Sequence, residues 1–107
     1  MSSRKNDILE ILKENPDDVF LNYVLGLELV SENQLEQAIQ QFQKTIELDE
    51  NYVPAYYQCG LILYETQNKD DALEILKKGL SIAIQKKLYK EITEFKSLIT
   101  NIENDLL

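Results

Sequence analysis

The sequence predicts an all-α fold of about six helices, and three observations carry that reading. Glycine and proline are scarce, at 3 and 2 residues of 107, while Leu, Ile, Glu, Lys and Gln, which suit helices, are abundant. Apolar residues recur at helical spacing in one segment after another. Short polar turn segments separate those stretches.

Each element follows from local signals. Ile8, Leu9, Ile11 and Leu12 make an amphipathic first helix over roughly residues 4–14. It must stop before Pro16, because the residue preceding a proline is pushed out of helical geometry. Asp17 and Asp18 offer caps for a second helix, which runs to about Ser31. The segment "SENQ" breaks it, with Asn33 suited to the left-handed conformation that ends helices. Leu35 to Leu48 resumes the helical period, and "DENYVP" opens a fourth helix at about Asn51 that reaches about Glu65. Pro54 is harmless there, since first-turn amides have no intrahelical partner. After the turn "TQNKDD", Ala72, Leu73, Leu76, Leu80 and Ala83 mark a fifth helix. Leu88, Ile92, Phe95, Ile99, Ile102 and Leu106 mark a sixth.

Composition bounds the function. The length suits a single domain, residues 1–107. A formal charge of −8 opposes binding to nucleic acid or to an anionic membrane, because both would repel the chain as a whole. Apolar runs fall far short of the roughly 20 residues needed to span a bilayer. The start "MSSRKNDILEIL" lacks the apolar stretch of a secretory signal, so a cytoplasmic setting is expected.

Cys59 is the sole cysteine and histidine is absent, which leaves no activating imidazole for a thiol nucleophile. It also removes the helical His motifs of zinc and di-iron sites. Cys59 is expected to be a small buried hydrophobe, and no enzyme activity, metal or cofactor is expected. The doublets Asp17/Asp18, Asp49/Glu50 and Asp70/Asp71 each lie near a helix start, where carboxylates cap free amides and oppose the dipole. Glu10, Glu14, Glu28, Glu32, Glu36 and Glu47 are read as a solvated exterior that could also steer a basic partner.

An interior glycine costs a helix about 1 kcal/mol relative to alanine, so Gly26 within "YVLGLEL" calls for compensation. Gly26 aligns with Gly60 at an offset of 34 residues. At that offset Val19 meets Val53, Tyr23 meets Tyr57, Leu27 meets Leu61, Leu29 meets Leu63, Ala38 meets Ala72 and Lys44 meets Lys78. A helix-turn-helix unit has been duplicated.

The period and pattern resemble the tetratricopeptide repeat. In the first unit Leu25, Gly26, Leu29, Ala38 and Phe42 match the family signature, while Asn22 stands at its tryptophan position. In the second unit Tyr56, Gly60, Leu63, Ala72 and Leu76 match, Cys59 replaces a leucine, and Gly79 fills another small-residue position. Pro16 falls at a closing-proline position, which makes the first helix resemble the second helix of a degenerate preceding repeat. Glu50 replaces the closing proline of unit one.

The resemblance implies an α-α superhelix, with an N-terminal helix over 4–14, repeats over 19–52 and 53–86, and a capping helix over 87–107. It implies that Gly26 packs against the helix carrying Ala38, and Gly60 against that carrying Ala72. It also implies that Lys90, Glu91, Glu94, Lys96 and Glu103 form the wet outer face of the end helix.

The resemblance further implies a protein-interaction module, a scaffold or adaptor. In this family the first helices of successive repeats line a concave groove for a partner's peptide or helix. The groove positions carried over are Phe20, Tyr23, Leu27 and Val30, then Tyr57, Leu61 and Tyr64, with Pro54 in register with Phe20. Tyrosine offers apolar contact plus a hydroxyl at low entropic cost. The places that hold Lys, Arg and Asn in the family's carboxylate clamps hold Tyr23, Leu27 and Gln58 here, so an apolar or aromatic ligand is expected. The rival expectation is that the tyrosines are core under the last helix, or buried in a homodimer supported by apolar Leu98 and Leu107.

Overall fold

The computed structural model describes residues 3–105. Among these residues the chain forms six helices and no strands: α1 (Ser3–Glu14), α2 (Val19–Ser31), α3 (Leu35–Leu48), α4 (Val53–Glu65), α5 (Lys69–Gln85) and α6 (Tyr89–Asn104). The fold is all-α, as the periodicity requires. Leu106 and Leu107 lie outside the described residues. The chain divides into two compact units, Met1–Ala55 and Tyr56–Leu107.

In the first unit α1 and α3 both pack on α2. Asp18 caps α2, its Oδ1 accepting from the Leu21 amide at 2.8 Å. The hairpin between α2 and α3 closes around Gly26. A Cβ built at that residue would lie 2.8 Å from Phe42 Cδ1 and nearer still to Cε1. Phe42 is fully buried as a result. The ring occupies the volume that any side chain at residue 26 would need.

The second unit repeats the device. Leu76 of α5 sits where a side chain at Gly60 would be, with its Cδ1 3.1 Å from the added carbon and Cγ closer. Gly79 serves a further contact: a Cβ there would meet Phe95 Cε1 of α6 at 2.7 Å and Tyr56 Cβ of α4 at 2.7 Å. Phe95, Ile99 and Ile102 bury the inner face of α6. Lys90, Glu94, Lys96 and Glu103 are exposed and Glu91 is half-buried, so the outer face is wet as expected.

Helices α2, α4 and α5 stop by one mechanism. After α2 the Asn33 amide donates to Val30 O at 2.9 Å and the Gln34 amide to Leu29 O at 2.9 Å. The same pair of bonds recurs after α4, from Gln67 to Tyr64 and Asn68 to Leu63, and after α5, from Lys87 to Ile84 and Leu88 to Ala83. Each is a Schellman cap, and each needs one left-handed residue. Asn33, Gln67 and Lys87 supply it, with φ of 61°, 69° and 57°.

Three expectations need correction. The fourth helix starts at Val53 rather than about Asn51, because Asp49 Oδ1 accepts from the Asn51 amide at 3.0 Å and holds a turn there. Asp18 caps α2 through its side chain, whereas Asp49 shapes that turn, and Asp70 and Asp71 lie in the first turn of α5, where they oppose the dipole as expected but stand beyond the N-cap residue Asn68. Glu28 is not solvated exterior: it is buried, and its Oε2 lies 2.9 Å from Arg4 Nη2 of α1. A neighbouring pair, Lys5 Nζ to Glu32 Oε1 at 2.8 Å, joins the same two helices.

Asn22, at the position of the family tryptophan, is 1% exposed and uses its amide fully. Its Nδ2 donates to Pro16 O at 3.0 Å and Asp18 O at 2.8 Å, and its Oδ1 accepts from Gln41 Nε2 of α3 at 2.6 Å. A polar clip therefore ties the entry loop of α2 to α3. No buried side-chain polar atom among the described residues lacks a partner.

Two substitutions check this packing. Gly79→Ala should lower stability by about 1–3 kcal/mol, although alanine is the better helix former, because the added carbon meets a fixed Tyr56 Cβ as well as a ring. Thermal denaturation reads it, and an unchanged or raised midpoint would show that the helices separate there without cost. Asn22→Leu should cost about 1–3 kcal/mol in a denaturant titration, since it strands the buried partners of the amide. A variant as stable as the parent would mean that the clip contributes nothing.

Candidate functional site

On α2 a helical repeat of 100° per residue places Phe20, Tyr23, Leu27 and Val30 on one face. Phe20 is 62% exposed, and Tyr23, Leu27 and Val30 are half-buried. Tyr23 is anchored from beneath. Its ring centroid lies 5.8 Å from that of Phe42 and 5.3 Å from that of Tyr52, the latter edge to face. Phe42 is itself fixed by Gly26, so the unit's packing determines where this tyrosine stands. Tyr52 has its phenol pKa raised by burial, with Asp49 and Asp18 adding to the effect.

On α4 the corresponding face carries Tyr57, Leu61 and Tyr64, all half-buried. Both tyrosines touch α6 or its C-cap. The Tyr57 ring meets Phe95 edge to face at 5.6 Å. The Tyr64 hydroxyl donates to the carboxylate of Asp105, to which Lys69 Nζ also approaches at 3.6 Å. That hydroxyl bond holds the Asp105 carboxyl below the usual range, with Lys69 adding to it, and pushes the Tyr64 phenol up. Asp105 carries no sequence signal for this role, since it lies off the apolar stripe of the last helix and 41 residues from Tyr64.

The last helix and its C-cap thus engage both tyrosines of this face without burying either completely. Leu98 is half-buried. Cys59 is fully buried, and burial pushes its thiol up to about 11, as befits an inert small hydrophobe. Among the described residues no cluster of His, Cys, Asp and Glu could hold a metal ion. No helix among them is long and apolar enough to cross a membrane.

Paired helices closed by a glycine contact, and two copies of that pair 34 residues apart, define an α-helical repeat protein. Family comparison agrees: a TPR repeat model matches residues 26–67 and a tetratricopeptide repeat model matches residues 53–83. The chain belongs to the tetratricopeptide repeat family.

Among solved structures it is similar to a tetratricopeptide repeat domain protein from Salinibacter ruber, with 26% identity and a TM-score of 0.79 over 83% of this chain and 90% of that one. Two more distant likenesses show the fold alone. They are the TPR2B domain of yeast Sti1 in its pHsp70 complex, at 21% identity, TM-score 0.87, 94% of this chain and 81% of that one, and the Yersinia enterocolitica type III secretion chaperone SycD with a peptide of the translocator YopD, at 15% identity, TM-score 0.87, 96% and 79%. No curated protein matches the sequence.

Tyr64→Phe should return the Asp105 carboxyl toward its ordinary pKa, read by the carboxyl carbon shift in an NMR titration. The sign for stability follows. A lowered carboxyl pKa stabilises above the unfolded value and is lost as pH falls through the folded one; a raised phenol pKa stabilises below its unfolded value and is lost as pH rises through the folded one. The variant should therefore lose less stability than the parent on both limbs. An unmoved Asp105 titration would show that the hydroxyl does not set it.

Proposed function

We propose that this chain is a non-enzymatic protein-interaction module, a scaffold or adaptor, and that it takes a peptide or helix of a partner protein on the outward face of the first helix of each repeat. The observation that carries the reading is Phe20, a large aromatic side chain 62% exposed and in line with Tyr23, Leu27 and Val30. Leaving such a ring in water forgoes roughly 1.5–3 kcal/mol of burial that a bound partner would recover. Tyr57, Leu61 and Tyr64 repeat the face on α4, where the Tyr64 hydroxyl is held by Asp105.

Two proteins of like fold support the class of ligand, since one is solved in complex with pHsp70 and the other with a peptide of YopD. The chemistry differs from a carboxylate clamp, because Tyr23, Leu27 and Gln58 stand where cations and an asparagine would be needed. An apolar or aromatic segment is the ligand proposed. The setting proposed is the cytoplasm, where the lone thiol of Cys59 stays reduced. No nucleic acid, membrane surface, metal or cofactor enters the reading.

Affinity capture from the source cell tests it. Phe20→Ala is the cleanest probe, because an exposed ring is removed without opening the core, and a Tyr23→Ala, Tyr57→Ala double variant extends it to both faces. A partner retained by the parent should be lost about tenfold or more by the variants if these rings are anchors. Equal capture by folded variants would defeat the proposal.

A further inference from the structure

The first unit carries a second concavity, a cleft of about 510 Å³. Leu25 and Leu29 of α2 form its floor. On that helix they lie roughly opposite Tyr23, Leu27 and Val30, so the cleft is separate from the aromatic face and does not depend on the reading given to it. Lys5 and Leu9 of α1 make one wall, and Gln37, Gln40, Gln41 and Lys44 of α3 make the other.

Both walls depart from what the repeat places at the same register. Leu9 is 40% exposed, yet the residues 34 and 68 positions further on are exposed and polar, Gln43 and Lys77. Of these three register-equivalent residues, only the one that borders this cleft is apolar. The α3 wall is one helix face, and its register partners on α5 are Asp71, Glu74, Ile75 and Lys78. Two acidic residues on α5 are carboxamides on α3, while the lysine is kept. In a chain with 19 acidic and 11 basic residues, the described residues lining this cleft include no carboxylate and one lysine on each wall.

We propose that this cleft is a second docking site, whose occupant is an acidic amphipathic helix of a partner protein. Aliphatic side chains one turn apart seat on Leu9, Leu25 and Leu29. Flanking carboxylates face the lysines, and the carboxamides of Gln37 and Gln40 can donate to polar groups at the margin, while that of Gln41 is held by Asn22. Lys5 is shared with Glu32, at 2.8 Å, so Lys44 is the cation to test. Overall negative charge disfavours an acidic ligand elsewhere on the surface and confines it to this acid-free lining.

The probe is a capped peptide with leucines one helical turn apart and glutamates beside them, titrated into the full chain while methyl NMR shifts are followed. Saturable binding is expected, with shifts at Leu9, Leu25 and Leu29. Lys44→Glu should weaken it about threefold or more, as should a peptide with lysine in place of glutamate. Leu9→Gln, which installs the in-register residue and leaves the core alone, should weaken it as well. The proposal fails if binding does not saturate, if Lys44→Glu or the lysine peptide binds equally, or if the shifts appear at Leu27 and Leu61. It also fails if the cleft methyls shift on concentrating the chain without peptide, which would make a second copy the occupant.

Discussion

Everything in this chain depends on side chains entering the space that three glycines leave empty. Phe42 against Gly26, Leu76 against Gly60 and Phe95 against Gly79 are one contact made with different partners. The helix gives up about 1 kcal/mol at each glycine and regains more through burial of a large side chain, roughly 1.5–3 kcal/mol apiece. The contact also has a directional consequence. Phe42 can sit under Tyr23 only because Gly26 admits it, so the packing of the hairpin determines which rings face outward.

The fold was largely legible because these contacts leave a periodic trace. Gly26 and Gly60 are visible as equivalents once the chain is laid against itself, and the apolar positions of α2 to α5 follow from the same offset. Helix ends were legible where side-chain chemistry is specific. Asn33 tolerates a left-handed backbone and could be anticipated. Gln67 and Lys87 could not, since nothing in their side chains favours that conformation; the Schellman bonds of the finished hairpins impose it.

Polar contacts between helices were the illegible part. Glu28 looks like any other surface glutamate in the sequence, and only the arrival of α1 with Arg4 turns it into a buried partner. Asn22 was recognisable as a departure from the family tryptophan, but its compensation by Gln41, a residue on another helix, has no signal in either local segment. A tryptophan fills that corner by volume, whereas Asn22 fills it by hydrogen bonds to the loop before α2 and to α3. The clip is more directional than a ring would be, because three bonds fix the amide plane.

The candidate site was legible as positions and not as environments. The 34-residue offset identifies Tyr23 and Tyr57 as equivalents, yet they differ in what lies beneath: Phe42 and Tyr52 under the first, Phe95 of the last helix beside the second. In the second unit Asp105 binds Tyr64 and leaves a carboxylate and Lys69 beside that tyrosine. The first unit has Phe20 in the open instead. Duplication supplied two similar faces, and Phe20 within the first copy and Asp105 beyond the second made one apolar at its margin and the other polar. Equivalent positions in the two copies therefore stand in unlike surroundings, an exposed ring at Phe20 in one and a carboxylate held by Tyr64 and Lys69 in the other, so the repeat of a sequence pattern does not repeat the chemistry at its margin.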